Sequence, residues 1–443
     1  MGTEETNLSN IWSSSFESSS IKAASFGDYT GVIAELFVGC FMGKFKFRLP
    51  TVSFLARLCF FIFCTFSLVD GAEKPLKVFF LVGQSNMEGH AKVETFEHLG
   101  MDPETAPLLR KMQDPEGRPR VSDKVWISYL STNGVRSGRL TAGFGADEAK
   151  IGPEFTFGIT MQELLGEPIL IIKTAWGGKS MHTDFRSPGA GDYVFSDAQS
   201  ERFVKQGKDL NAIKAEKEEA TGHYYREMMD HVKLVLSDIS QVYPDYDAKS
   251  GHELAGFVWF QGWNDMVDSG TYPERDKEGG YAEYSRLLTQ FIDDVRNDLS
   301  SPKLRFVIGV MGVGGPVDRY EADQARYKAT HQNFRDAMAA PARSPELKDT
   351  VAVVLTENYW DMELDGLVKR DEKLKQEIRK LKLGGKEAQA KREELRKEEF
   401  SEEEWEVLER GVSNAAYHYL GSAKIMAGIG KGFAEAMIDL QGN

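Results

Sequence analysis

Five short apolar runs limit what this chain can fold into. They lie at 77–82 (KVFFLV), 168–174 (PILIIKT), 255–261 (AGFVWFQ), 304–311 (LRFVIGVM) and 351–356 (VAVVLT), and the first four run into glycine-bearing loops. A strand that is apolar throughout must be covered on both faces. The segments between the runs supply the cover. Tyr225, Met229, Val232, Leu236 and Ile239 recur at spacings of three and four, as do Leu287, Phe291, Val295 and Leu299. Leu420, Ile425, Met426, Ile429 and Phe433 make a similar stripe near the end of the chain. Each set forms one face of a helix. The fold class predicted is α/β: three layers, α/β/α, around a mostly parallel five-stranded sheet. Ligands of such sheets bind beyond the carboxyl ends of the strands, so the loops after strands one, two and three should meet in one crevice.

Two segments break the alternation. Residues 94–152 are rich in Pro, Gly and charge and read as a long insertion after strand one, with a strand of its own near 125–130. Residues 367–410 are densely charged, carry a thin stripe of Leu374, Ile378 and Leu381, and are interrupted by Gly384-Gly385. They read as a helical hairpin insertion before the last helix. It is either a partner-binding arm or lid, or a solvated addition with no role in chemistry. No internal repeat is present.

The N-terminal part reads as a targeting segment. Lys44, Lys46, Arg48 and Arg57 precede an apolar run from Leu58 to Val69, and small residues follow at 69–72 (VDGA). A basic region, a short apolar core and a small-residue exit describe a secretory signal peptide, here 42–71. The run is shorter than the roughly 20 residues of a membrane span; an uncleaved anchor is the competing reading. Residues 1–41 precede a Met42-Gly43-Lys44 start and read as a non-native extension or a disordered tail, which leaves one domain over 72–443. The chain is expected to be secreted or periplasmic, with no stable membrane insertion after signal cleavage. Cys40, Cys59 and Cys64, the three cysteines, all fall at or before the signal's end. The mature chain then has no disulfide and no cysteine-ligated metal. A formal charge of −14 argues against the basic face that a nucleic-acid binder needs.

Ser85 follows the first apolar run, where a loop turns toward a helix. That position exposes a hydroxyl at the top of the sheet beside free backbone N–H groups, which is what a serine nucleophile requires. A serine there is more often a helix cap, so its neighbours matter. Gly83-Gln84-Ser85-Asn86-Met87 resembles the first block of the sialate O-acetylesterase-like (SASA) branch of the SGNH hydrolases, which includes carbohydrate esterase family six. Trp259-Phe260-Gln261-Gly262-Trp263-Asn264-Asp265 resembles that branch's Trp-x-Gln-Gly-Glu-x-Asp segment and the Gly-x-Asn-Asp block of SGNH hydrolases. Tyr417-His418-Tyr419-Leu420-Gly421 resembles the terminal histidine block. The resemblance runs from Lys77 to Ile438 with the blocks in order.

The resemblance implies an SGNH, flavodoxin-like domain and a carboxylic ester hydrolase that removes acetyl groups from carbohydrate. Ser85 would be the nucleophile. The Ser85 N–H, the Asn264 amide and a glycine N–H would form the oxyanion hole. The glycine is Gly177 or Gly178, with Gly178 preferred and Gly152 the competitor. Gln84 and Gln261 either orient substrate or brace the loops. Of the eight histidines, only His418 lies after the fifth strand and just before the terminal helix, which returns it to the crevice; His231 sits within a helical stripe and reads as structural, and His90 reads as pointing beyond the loop.

The family pattern places an Asp three residues before its histidine. This chain has Ala415 there, preceded by Asn414, and neither carries charge. Either the enzyme works as a dyad or an acid comes from elsewhere. Asp361 is the first choice, Glu357 the second and Asp265 the third, Asp265 being better placed to brace the Asn264 loop. Gly177-Gly178-Lys179-Ser180 lacks the earlier glycine of a phosphate-binding loop, and Gly312-Val313-Gly314-Gly315 lacks the third glycine of a dinucleotide fingerprint. No cluster has metal-ligand spacing, so neither metal nor cofactor is expected. A carbohydrate-binding relic and an esterase for non-sugar acyl esters are the alternatives. Trp176, Trp263, Tyr359 and Trp360 suit stacking on sugar rings, although about half of such aromatics belong to cores.

Overall fold

The computed structural model describes residues 74–442. The 42–71 segment read as a signal peptide, the three cysteines and residues 1–41 lie outside the described residues. Nine strands follow in chain order: β1 Leu76–Gly83, β2 Ala91–Lys92, β3 Val125–Ser131, β4 Gly134–Arg139, β5 Lys150–Ile151, β6 Ile169–Ala175, β7 His252–Phe260, β8 Phe306–Val310 and β9 Val351–Leu355. Seven of them form one sheet in the order β4-β3-β6-β1-β7-β8-β9. Every pairing is parallel except β3 with β4. The five predicted strands are all present with slightly shifted ends.

The sheet has seven strands where five were expected. The extra pair, β3 and β4, comes from the segment read as an insertion. β3 pairs in parallel with β6, and β4 returns beside it as an exposed edge. β4 reads GVRSGR, a polar edge strand with no apolar run to betray it.

The chain leaves β1, builds β6 on one side, then crosses to β7, β8 and β9 on the other. The order reverses at β1, and the loops diverge there to leave a crevice at the carboxyl ends. Alternation along the strands fills both layers. Phe79 meets Phe157 of α2 (Glu154–Leu165) edge-on at 5.6 Å, while Phe80 faces the other way onto Phe257 at 6.0 Å. Phe257 packs in turn against Phe291. α3 (His223–Ser237), α4 (Ala282–Asp298) and α5 (Lys328–Ala339) bury their apolar stripes, with Tyr225, Met229, Val232, Leu287, Phe291 and Val295 inside as the spacing predicts. Gly256 has no side chain because Met437 lies where a Cβ would go.

The charged segment forms three helices, not two. α6 (Met362–Leu381) and α7 (Gly385–Glu399) are separated at Gly384, as expected, and α8 (Glu402–Gly411) follows. Leu367, Leu374, Phe400 and Leu408 make a small core of their own. α9 (Ala423–Gln441) closes the fold against α2, where Thr156 Oγ1 donates to the Ala427 carbonyl at 2.8 Å. Ile425, Met426, Ile429 and Phe433 are buried along it, whereas Leu420 lies in the turn before it. No helix among the described residues is long and apolar enough to cross a membrane.

Candidate active site

β1 ends at Gly83, and only a glycine fits there: the Phe260 carbonyl oxygen lies 2.1 Å from where a Cβ would stand. The chain then turns through Gln84 into α1 (Ser85–Glu88), with Ser85 as its first residue. The Ser85 N–H therefore has no acceptor within the helix. Ser85 is buried, and its Oγ receives a long hydrogen bond of 3.5 Å from Gln84 Nε2.

Four loops close on this serine. A cleft of about 320 Å³ is lined by Ser85, Glu88, His90, Gly177, Gly178, Trp263, Asn264, Tyr417 and His418. Of the expected site residues, the structure brings Ser85, Asn264, Gly178 and His418 together here. Larger cavities lie at the amino ends of the strands (420 Å³) and between α6–α8 and residues 414–416 (640 Å³), and neither contains Ser85.

Gln84 and Gln261 are fully buried and do not line the cleft. Gln84 Oε1 accepts from Gln261 Nε2 at 3.2 Å and from the Gly262 N–H at 3.1 Å. Its Nε2 donates to Asn264 Oδ1 at 3.1 Å. Because the Asn264 oxygen is held from below, the NH₂ end of that amide is left to donate. Gln261 also reaches the Lys179 carbonyl at 3.0 Å and Asp265 Oδ2 at 2.6 Å. The two glutamines thus lock three strand-end loops to one another.

Gly177 and Gly178 line the cleft after β6. A Cβ on Gly177 would lie 3.9 Å from Ser85 Cβ and 3.1 Å from Glu88 Oε2, so this glycine leaves the space beside the serine open. Gly178 adopts a left-handed φ of 74°, which favours glycine. The competitor, Gly152, gives its N–H to Glu154 Oε1 at 2.9 Å and is not in the cleft. Beneath the loop, the buried Lys173 ammonium donates to Glu154 Oε2 (2.7 Å), the Phe144 carbonyl (2.7 Å) and the Glu88 carbonyl that ends α1 (2.9 Å).

His418 sits in a tight turn between α8 and α9. The N–H groups of Ser413 and Asn414 both donate to the Leu420 carbonyl. Tyr419 and Leu420 take left-handed φ values of 54° and 60°, a costly conformation for such side chains. Burial of Tyr419, whose hydroxyl accepts from the Gly312 N–H at 2.9 Å, holds the turn in place. The turn carries Asn414 back under the ring, with Asn414 Oδ1 3.0 Å from His418 Nδ1. The Ala415 N–H donates to the same Oδ1 at 2.8 Å, which identifies that atom as the oxygen. Nδ1 must then carry the proton, leaving Nε2 as a lone-pair acceptor. Burial, followed by the nearby charges of His90 and Lys150, pushes the His418 pKa down to about 4, so the ring is neutral near pH 7.

The three expected acids are placed elsewhere. Asp361 corrects the sequence reading: it caps α6 through the Leu364 N–H at 2.9 Å and pairs with Lys424 at 2.9 Å. It faces His98 at 3.8 Å, not His418. Glu357 is held by Arg335. Asp265 accepts from the Met181 N–H, Gln261 and Tyr272, bracing the loop after β6. Asn414, set aside for lack of charge, is the ring's hydrogen-bond partner among the described residues. His90, read as pointing away, lies in the cleft with its ring stacked on His418 at 4.0 Å and 5°. His231 is structural as expected, buried on α3 against Ser128 Oγ at 3.1 Å.

Of the aromatics weighed for sugar stacking, Trp176 and Trp360 are buried, and Tyr359 packs on α9 in the space left by Gly428 and Gly432. Trp263 alone of that set lines the cleft, with Tyr417 beside it at 5.8 Å. Among the described residues no group of three His, Cys, Asp or Glu stands in a metal-binding arrangement.

A family model described as carbohydrate esterase, sialic acid-specific acetylesterase, matches residues 75–353. Ser85, Gly177, Gly178 and Asn264 fall within the match; Asn414 and His418 follow it. Among solved structures, a protein of Arabidopsis thaliana is 18% identical with a TM-score of 0.34, over 64% of this chain and 86% of that one. A carbohydrate acetylesterase from Xanthomonas citri is 12% identical with a TM-score of 0.33, over 62% of this chain and 49% of that one. No curated protein matches the chain.

Proposed function

The chain belongs to the carbohydrate esterase, sialic acid-specific acetylesterase family, and on that premise we propose that it is a serine esterase that removes acetyl groups from carbohydrate. One observation carries the mechanism: four separate loops bring Ser85, Asn264, two glycines and a neutral His418 around one cleft at the sheet's reversal point. His418 Nε2 takes the Ser85 proton as Oγ attacks the acetyl carbonyl carbon. The carbonyl oxygen becomes an oxyanion facing the Ser85 N–H, the Asn264 amide and a glycine N–H of 177–178. Collapse breaks the ester bond, and the His418 imidazolium returns its proton to the departing sugar oxygen. Water then attacks the acetyl-serine as His418 takes its proton, and collapse breaks the bond to Oγ, returning the proton to Ser85 as acetate leaves.

Trp263 and Tyr417, adjacent at the cleft, supply the aromatic faces that support a sugar substrate over a lipid acyl chain. Ser85→Ala is expected to lower aryl-acetate hydrolysis by roughly three orders of magnitude or more while leaving the fold intact. Retained activity would remove Ser85 from the mechanism. The substrate is tested by acetate release from acetylated xylan, acetylated pectin and O-acetylated sialic acids. Release from none of them would favour a carbohydrate-binding relic. Export through the 42–71 segment is part of the proposal and rests on sequence alone. N-terminal sequencing of the mature protein tests it, and a first residue upstream of Leu58 would overturn it.

A further inference from the structure

Among the described residues His418 has no carboxylate partner, and its one side-chain hydrogen bond does not fix the ring. An imidazole held only at Nδ1 can still swing its plane about that contact, carrying Nε2 away from Ser85. What fixes the plane must touch the ring's face. That contact is His90, whose ring lies parallel to His418 at 4.0 Å with 5° between the planes. Tyr417 meets His418 more steeply, at 4.4 Å and 65°.

The placement of His90 is built into the backbone. α1 ends at Gly89, with φ 89°, whose missing Cβ lets the Gly152 backbone approach to 2.0 Å of that position. That turn sends His90 into the cleft. The next residues are stitched to the His418 turn through Ser413, whose Oγ accepts from the Lys92 N–H at 3.1 Å. The same Oγ donates to the Gly421 carbonyl at 2.7 Å. The two histidines thus ride on segments tied to each other.

The ring nitrogens of His90 point to a supporting role. Both are shielded from solvent and neither has a hydrogen-bond partner among the described residues. Its nearest charged neighbour is the Glu88 carboxylate of α1, 3.9 Å from Nε2. Nitrogens so enclosed are poorly placed to hydrogen-bond a substrate, while one face of the ring lies on His418. Resting on the reading of Ser85 and His418 above, we propose that His90 is a positioning residue that clamps the plane of the His418 imidazole, supplying by face contact the orientation that a triad carboxylate would otherwise supply.

The test compares three variants on an aryl acetate. His90→Ala removes the face and is expected to lower kcat by about tenfold or more, the scale on which misplacing a reacting group acts. KM is expected to stay within about threefold, because the shielded ring nitrogens offer the substrate no hydrogen bond. His90→Gln, polar but without an aromatic face, should behave like His90→Ala. His90→Phe restores a face and should recover most of the kcat at about pH 8, above the ordinary imidazole range.

A pH profile checks that His90 and His418 are neighbours, and thermal melting separates positioning from packing alone. The titratable groups around His418 are Lys150 from β5 and His90 itself, with Glu88 from α1 and Asp147 flanking His90. His90→Phe removes a group that opposes protonation of His418, so the acid limb of kcat should move to higher pH. A role in packing alone would lower the melting temperature of His90→Ala and leave the kcat of the folded protein unchanged. Normal kcat in His90→Ala, or no rescue by His90→Phe, overturns the proposal. If Ser85→Ala remained active, the serine mechanism itself would fall; an inactive Ser85→Ala beside a fully active His90→Ala would overturn the positioning role alone.

Discussion

At the residue scale, the unexpected feature is a neutral amide where a carboxylate was sought. An asparagine beside a catalytic histidine is harmful when its nitrogen faces the ring and selects the wrong tautomer. Here the Ala415 N–H occupies Asn414 Oδ1 from one side and His418 Nδ1 from the other, so the oxygen faces the ring. Asn414→Leu should therefore lower kcat by about 100-fold, within the usual range for general-base assistance, and an unchanged kcat would exclude Asn414 from the relay. Asn414→Asp should do the opposite at the ring. A carboxylate favours the imidazolium, so the His418 pKa should rise from about 4 and the acid limb of kcat/KM should move to higher pH; a limb that stayed put or fell would refute the assignment. Ser85 was legible because it follows a strand, whose end the sheet fixes, and the family resemblance pointed to Asn264 and the glycines, which also follow strands. Asn414 and His90 were not legible. Their approach to His418 depends on left-handed residues at Tyr419, Leu420 and Gly421 and on the φ of Gly89, which no apolar period reports. The family spacing also drew attention to position 415, one residue away from the side chain that bonds the ring.

At the scale of elements, the five buried strands and the helices between them were readable from periodicity, because burial on two faces leaves a plain record in composition. β4 and α8 were not. β4 is a polar edge, and α8 is recruited by Phe400 and Leu408, which help build a core with α6 too small to make a stripe. Lys173 was hidden within an otherwise apolar run. Its ammonium joins β6 to the end of α1, to the loop at Phe144 and to α2 through Glu154, and both charged side chains are fully buried. Burying such a pair is costly, and removing one partner is costlier because the other charge is stranded. Lys173→Met should lower unfolding free energy by about 3–5 kcal/mol in urea titration. It should also lower kcat, since the carbonyl ending α1 loses its donor. The double variant Lys173→Met with Glu154→Gln should recover part of the stability, as the stranded charge is gone. A single-variant loss under about 1 kcal/mol would mean that water replaces the ammonium, and the pair would then not be what ties α1 to the sheet.

For the molecule as a whole, two effects of acid oppose each other. The chain carries −14 at neutral pH, and self-repulsion falls as the pH approaches the pI near 5.2, which favours the compact state. The buried histidines act the other way. Burial pushes His231, His331 and His418 from 6.5 down to about 4, and lowers His98 as well. Between pH 6.5 and 4 the unfolded chain therefore binds more protons at these sites than the folded one. Stability then rises with pH across that window and falls as acid is added. Repulsion is spread over an exposed, salt-screened surface, whereas His98 and His231 are buried and His331 and His418 half-buried, so the local terms should win. The expected result is a urea midpoint that falls steadily from about pH 7 to about pH 4, with no maximum at the pI. His231→Phe should flatten the slope, because among the described residues His231 has a single side-chain hydrogen-bond partner, Ser128, and it lies on α3 away from the cleft. A midpoint that instead peaked near the pI, with wild type and His231→Phe in parallel, would show that net charge governs acid stability and that the buried imidazoles do not.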